Sequence, residues 1–238
     1  MIRVAAVGDL HFGDDSAGTW APQLAHLAES ADVLLLAGDL TRVGRRQEAK
    51  VLAEELEDVP IPIVAVLGNH DFHSDAAHEV VSELKSAGVT ILEGDATTVV
   101  VNGESLGIAG TNGFGGGFAG VNATAFGEPE MKAFVAYTTR HADALLASLN
   151  ALHTDHRVAL MHYAPVKDTV QGEHPQIFPF LGSYLLAEAV DAAGADLAIH
   201  GHAHHGREKG VTPGGVHVRN VAMPVIRRSY AVYCLGED

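Results

Sequence analysis

IRVAAVGDLH, residues 2–11, opens the chain with a six-residue run of strand character and ends on an aspartate and a histidine. Ile2–Val7 is apolar except at Arg3 and has the length of a buried strand. Gly8 lets the backbone turn sharply and approach its neighbours closely. Asp9 and His11 follow, two residues apart, and in extended chain such residues point the same way. The same arrangement recurs along the chain. Val33–Ala37 runs into Gly38-Asp39, and Ile63–Leu67 runs into Gly68-Asn69-His70-Asp71. Val158–Met161 runs into His162, and Leu197–Ile199 runs into His200-Gly201-His202-Ala203-His204.

Between these runs lie helix-like stretches at residues 19–30, 44–57, 74–87, 128–150 and 183–194, with Ser74 and Ser183 as expected N-caps. Alternating strand and helix predict an α/β fold with buried parallel strands. Thr98–Val101 and Leu106–Ala109 flank Asn102-Gly103, a hairpin turn signal. Val216–Val221 and Tyr230–Leu235 read as two closing strands. No repeat and no linker-like shift in composition interrupts the 238 residues, so one domain over 1–238 is expected.

In open α/β sheets the ligand crevice lies at the carboxyl ends of the strands. Five strands ending in Asp, Asn or His therefore bring their polar ends to one place. The donors are carboxylate, imidazole and amide without thiolate, a set suited to Mn, Fe or Zn. Asp9, His11, Asp39, Asn69, His162, His202 and His204 are too many ligands for one tetrahedral ion. They suit two divalent or trivalent ions about 3.5–4 Å apart that share a bridging carboxylate.

Asp9-x-His11, Gly38-Asp39, Gly68-Asn69-His70-Asp71, His162 and Gly201-His202-x-His204 resemble, in that order, the five motifs of the calcineurin-like metallophosphoesterases. The resemblance spans residues 8–204. It implies a four-layer α/β/β/α sandwich, two mixed sheets flanked by helices, with a dinuclear centre. By the same resemblance Asp9, His11 and His204 hold one metal, Asn69, His162 and His202 hold the other, and Asp39 bridges them. His70 is implied to be the catalytic residue, acting on the phosphate or the leaving group without binding metal. Two departures stand out. Leu40-Thr41-Arg42 replaces the Asp-Arg-Gly continuation of the family's protein phosphatases, which argues against a phosphoprotein substrate. His162 follows Met161 where the family more usually has Gly or Thr, and the ligand position is nevertheless filled.

Other residues near the motifs read more plainly. Arg42 is close enough to the site to touch phosphate, whereas Arg45 and Arg46 read as a solvated helix start. Asp71 is expected to brace its loop, and His73, His200 and His205 to support or pack. Cys234 reads as core. Gly110–Gly120 reads as a mobile loop. The 174–182 segment HPQIFPFLG is expected to present Ile177, Phe178 and Phe180 as an active-site rim or a homodimer contact.

The net charge of −15 disfavours nucleic acid as a partner. The start MIRVAAVGDL lacks signal-peptide character, and no apolar run approaches the ~20 residues of a membrane span. With a single cysteine, the expected setting is the cytoplasm. The expected substrate is a small-molecule phosphate ester, first of all a diester such as a cyclic nucleotide. A phosphomonoesterase comes second and a nuclease third. A catalytically silent scaffold is disfavoured because all seven ligand positions and His70 are filled.

Overall fold

The computed structural model describes residues 1–236 and contains two mixed sheets flanked by helices. The first sheet takes its strands mainly from the N-terminal third. β1 (Ile2–Val7), β2 (Val33–Ala37), β3 (Ile63–Val66) and β4 (Thr90–Ile91) are parallel neighbours in that order. The second sheet contains the hairpin β5 (Asp95–Val101) and β6 (Glu104–Thr111). A separate two-stranded ribbon follows, β7 (Gly117–Phe118) with β8 (Val121–Asn122). Beside β6 in the second sheet run β9 (His156–Met161), β10 (Leu197–His200), β12 (His217–Asn220) and β11 (Lys209–Val211). The last strand, β13 (Ala231–Leu235), returns to pair antiparallel with β1 at the edge of the first sheet.

Strand alternation builds the layers. Along β9, Val158 and Leu160 enter the core shared with the first sheet, and Ala159 and Met161 face the opposite side. Leu197 and Ile199 of β10 point inward while Ala198 points outward. Two helices cover the outer face of the second sheet: α5 (Pro129–Ala151) through Leu145 and Leu149, and α7 (Tyr184–Ala193) through Leu186 and Val190. The first sheet is covered by α3 (Arg46–Leu56) and α4 (Ala77–Ser86), which bury Leu52, Leu56, Val80 and Leu84. Each fully buried Leu, Ile or Val contributes about 1.5–3 kcal/mol of transfer free energy. The central strand β2 is buried on both faces, and so it reads VLLLA with no polar residue.

Local chemistry explains where the structure departs from the sequence reading. Asn102 and Gly103 both adopt positive φ, 52° and 87°, the turn that matches strand twist, and the hairpin extends beyond the expected eight residues. The 19–30 stretch is not one helix. It forms the single turns α1 (Ala21–Leu24) and α2 (Leu27–Ser30). Ser183 caps α7 as expected, its hydroxyl accepting from the Leu185 N–H. Ser74 caps nothing, because its hydroxyl donates to Val43 O and α4 starts at Ala77. Cys234 is exposed, since β13 is an edge strand and Cys234 falls on its outward alternation between Tyr233 and Leu235. The glycine-rich segment is no exposed loop either: Gly113, Gly115, Gly116, Gly117 and Phe118 are all buried. The 174–182 segment forms a 3₁₀ turn followed by α6 (Phe178–Leu181), with α8 (Met223–Ile226) near the other end of the site. Phe178 packs beside Phe118, whereas Phe180 stays 61% exposed. No helix among the described residues is long and apolar enough to cross a membrane.

Glu55 anchors the long loop that follows His11. Its carboxylate accepts from the backbone N–H groups of Gly18, Trp20 and Ala21, which ties residues 18–21 to α3. Burial pushes the carboxyl up, and the backbone donors outweigh it, so its pKa lies below the ordinary 4.5. A depressed carboxylate stabilises the fold above its unfolded pKa, and that contribution is lost as pH falls through the folded value. Glu55→Gln should therefore lower stability at pH 7 by about 1–3 kcal/mol. The deficit should shrink on acidification below about pH 4. Urea unfolding of both proteins across pH 3–7 measures it, and a pH-independent deficit would contradict the assignment.

Candidate metal centre

The two sheets meet at their strand ends. Val221 O, just past β12, accepts from Gly8 N at 2.9 Å, and Gly8 O accepts from Met223 N at 3.0 Å. The loops after β1 and β2 run side by side, with Asp9 N donating to Gly38 O and His11 N to Asp39 O. The backbone here is unusual. Asp9, His11, Asp39 and His202 all have positive φ, between 48° and 69°. Each such residue costs on the order of 1–3 kcal/mol and persists only where its surroundings hold it. Two glycines leave room for the carboxylates: a Cβ at Gly68 would collide with Asp39, and one at Gly201 with Asp9.

Two groups of donors result, and both include Asp39. Asp9, His11, Asp39 and His204 each offer one atom within 4.8 Å of the others, and so do Asp39, His162 and His202. In the first group, His204 Nε2 is 2.8 Å from Asp9 Oδ1 and 3.5 Å from His11 Nε2. His11 Nε2 lies 3.9 Å from Asp39 Oδ2. In the second, His162 Nε2 lies 3.3 Å from Asp39 Oδ1. Asn69 joins this second group, its Oδ1 being 3.0 Å from His162 Nε2. The two oxygens of Asp39 thus face different clusters. All seven residues expected from the sequence as ligands are brought together.

Backbone carbonyls orient three of the imidazoles. His162 Nδ1 donates to Ala37 O at 2.8 Å, and His202 Nε2 to Phe180 O at 3.2 Å. His70 Nδ1 donates to Arg42 O at 2.7 Å. A carbonyl only accepts, so those nitrogens carry protons, and in the neutral ring a metal ligand requires the opposite ones keep lone pairs. The lone pair of His162 Nε2 therefore faces the oxygens of Asn69 and Asp39 with no proton between them. Mutually repelling acceptors so close together fit a shared cation. Burial holds the His11 imidazole below its ordinary pKa. Burial, with His162 nearby, lowers His202 to about 4. Both rings are thereby kept in the neutral form a cation requires. Burial pushes the Asp9 carboxyl up, but the His204 hydrogen bond and the neighbouring imidazoles leave it below the ordinary value.

The residues around the clusters divide clearly. His70 stays outside both donor groups. Its Nε2 is 4.0 Å from Asp39 Oδ2, its side chain is 43% exposed, and its ring packs edge-on against His11. Arg42 directs its guanidinium to Asp15 at 2.7 Å, so it reaches the site only through the carbonyl that holds His70. Asp71 braces its loop as expected. It accepts from Leu40 N, Thr41 N, the Thr41 hydroxyl and Gly68 N. His200 is buried, donating from Nδ1 to Gly201 O with Thr169 at Nε2, while His73 and His205 are exposed. Tyr163 and Asn112 escaped the sequence reading, as did the backbone role of Phe180, which was expected only as a rim side chain. Phe180 contributes a carbonyl to the site, Tyr163 stacks its ring 4.3 Å from that of His202, and Asn112 O receives the N–H groups of His162 and Tyr163. Only the adjacency of Tyr163 to His162 could have signalled any of these.

The model of the calcineurin-like phosphoesterases matches residues 2–206. The chain belongs to this family. As a calcineurin-like phosphoesterase it is a metal-dependent phosphoric ester hydrolase, and its two donor clusters are candidate metal sites. Solved structures share its fold. Phosphopantetheinyl hydrolase from Mycobacterium tuberculosis superposes with a TM-score of 0.71 at 16% identity, over 98% of each chain. Protein TT1561 of Thermus thermophilus has a TM-score of 0.57 at 17% identity, over 92% of this chain and 88% of its own. GAP50, the anchor in the inner membrane complex of Plasmodium, has a TM-score of 0.55 at 12% identity, over 94% and 72% respectively. No curated protein sequence matches the chain.

Asp71 carries the loop geometry of both Asp39 and Asn69, and this is open to test. Asp71→Ala leaves three buried backbone donors unpaired, each at a cost of about 1–3 kcal/mol. The expected result is a loss of about 3 kcal/mol or more in urea unfolding, together with weaker metal retention. A variant within about 1 kcal/mol of wild type would show that water replaces the carboxylate.

Proposed function

We propose that this phosphoesterase hydrolyses a small-molecule phosphodiester at a dinuclear centre of Mn, Fe or Zn. In this reading Asp9, His11 and His204 hold one ion, Asn69, His162 and His202 hold the other, and Asp39 bridges. The observation that carries the reading is the division of the Asp39 carboxylate, one oxygen toward His11 and one toward His162. Two ions held there would supply charge neutralisation on the phosphoryl oxygens and lower the pKa of a bound water toward neutrality.

The chain's own groups do the rest. Ala37 O and Phe180 O keep His162 and His202 turned toward the centre. His70 is held by Arg42 O with Nε2 on the open side. When protonated, that nitrogen donates to the oxygen of the departing alcohol. Such general acid help contributes about 10²–10⁴ in rate. The lining beside the centre supports a diester over a monoester. The cavity beside Asn69 is lined by Phe72, Asn112, Phe114, Glu130, Phe134, Tyr137 and Tyr163, with no Lys or Arg. A diester has a second organic substituent to fill such an uncharged, aromatic lining beside the centre, which a monoester need not have. The overall charge of −15 disfavours polynucleotides. The lone, exposed thiol of Cys234 fits a reducing compartment such as the cytoplasm.

The test is a substrate panel with metal-loaded protein: bis-p-nitrophenyl phosphate, p-nitrophenyl phosphate, cyclic nucleotides, single-stranded DNA and a phosphopantetheine diester. The last is included because the Mycobacterium protein of the same fold is a phosphopantetheinyl hydrolase. Diesters should be cleaved in preference to p-nitrophenyl phosphate, and the reverse order would favour a phosphomonoesterase. Asp39→Asn should weaken both ions beyond the roughly 10–100-fold lost when only an orienting group is removed. Metal analysis finding two ions retained per chain would refute the bridge. His70→Ala should keep both ions and lower kcat, more for a nucleoside leaving group than for p-nitrophenolate, which departs without a proton. Equal losses on the two leaving groups would instead make His70 a phosphate contact.

A further inference from the structure

The donor cluster at Asn69 opens into a cavity of about 470 Å³ whose character differs from the metal centre. Asn69 forms one wall, so the cavity starts where the scissile phosphate is proposed to sit. Aromatic rings form most of the remainder. Phe114 is the hub, with ring centroids 5.1 Å from Phe134, 4.8 Å from Tyr137 and 5.6 Å from Tyr163. Tyr163 in turn lies against His202, so the ring system is continuous with the donor histidines. Phe72, 41% exposed, and Tyr137, 37% exposed, leave ring surface uncovered at the mouth. Exposed rings around a concavity beside a reactive centre need an apolar occupant to cover them.

The polar groups of the cavity narrow its chemistry. Glu130 contributes a carboxylate, which only accepts hydrogen bonds. Asn112 lines the same wall. The carboxylate therefore favours N–H donors on the occupant. The lack of Lys and Arg in the lining, with Glu130 present, disfavours a second phosphate there. A flat π surface that presents N–H donors and no negative charge is an amino-bearing nucleobase.

We propose that this cavity is the specificity pocket of the enzyme and takes the base of a nucleoside phosphodiester, stacked on the Phe114, Phe134 and Tyr137 surface with its N–H edge toward Glu130. The proposal rests on the diesterase reading above and names its substrate class. Phe134 and Tyr137 lie on α5, and Phe114 lies in the glycine-rich segment between β6 and β7. Neither element carries a donor of the metal clusters, so base recognition and metal binding are separable by mutation.

Two substrates that differ only in the base provide the test: adenosine 2′,3′-cyclic phosphate and the cyclic phosphate of methyl riboside, followed by phosphorus NMR with metal-loaded enzyme. Stacking one base on aromatic side chains is worth roughly 5- to 150-fold, and kcat/KM should favour the adenosine ester by a factor in that range. Phe134→Ala and Tyr137→Ala should each reduce this preference about tenfold, and Tyr137→Phe should keep it. Circular dichroism checks that the partly exposed sites tolerate the change. Equal kcat/KM for the two esters would overturn the pocket assignment while leaving the diesterase reading intact. A preference that survives both alanine variants would overturn it as well, since the base would then be read elsewhere. Selective cleavage of a phosphopantetheine diester, lost in the variants, would reassign the cavity to a flexible amide chain. Cleavage of neither cyclic ester would count against the diesterase reading, and saturation-transfer NMR with adenosine then decides the pocket. Transfer lost in Tyr137→Ala supports it, and no transfer to wild type overturns it.

Discussion

Hydrogen-bond acceptors are concentrated at the joined ends of two sheets, and the rest of the structure is arranged to tolerate this. Asp9 and Asp39 are almost fully buried, and the lone pair of His162 Nε2 faces oxygens of Asp39 and Asn69. Without a cation, each buried carboxylate would cost several kcal/mol. The surroundings compensate as far as backbone groups can. Asp9 accepts from His202 N and Asp39 from His70 N. Asp71 draws the backbone of both motif loops onto one more carboxylate, and its own proximity to Asp39 has a consequence. Burial first, and Asp39 second, raise the Asp71 carboxyl to about 6. Three carboxylates thus lie close together in the interior, a grouping that suits positive charge from outside the chain.

This constraint also accounts for the strained backbone. A donor pointing inward from the end of a parallel strand must leave the strand at once, and a right-handed turn would carry its side chain away from the sheet end. Asp9, Asp39 and His202 meet the requirement with positive φ, and Gly8, Gly38, Gly68 and Gly201 stand beside the donors where the chain passes close to a neighbour. The alternation of glycine and donor is hence one physical requirement expressed at four places, which is why the motifs were readable without any structure. The apolar runs before them were readable for a related reason. Strands covered on both faces admit no polar residue, so β2 and β3 stand out against the amphipathic helices.

What escaped the sequence shares the opposite property. Ser74 resembles an N-cap in isolation, yet Val43 O competes for its hydroxyl across 31 residues. Cys234 is apolar by type, but its exposure follows from β13 being an edge, a fact of topology. The glycines of 113–117 suggest a loose loop because small residues favour either mobility or tight packing. Here they are packed against Tyr163, Leu186, Pro179 and Ser183. Ala37, Arg42 and Phe180 act on the histidines through carbonyls, which every residue possesses. A backbone group leaves no trace in residue type, so this outer layer of the site was invisible in principle.

The same division separates the donor clusters from the surfaces around them. Donors, glycines and Asp71 form a set of mutual contacts. The surfaces proposed to meet a substrate come from elsewhere: α5, the segment carrying Phe114, and α6 with the exposed Phe180. Joined to the metal centre through Asn112, Tyr163 and the Phe180 carbonyl, these elements touch the donors mostly through backbone atoms. Backbone contacts persist when side chains change. Side chains on α5 and in the 112–118 segment can therefore vary without disturbing the charge balance around Asp39.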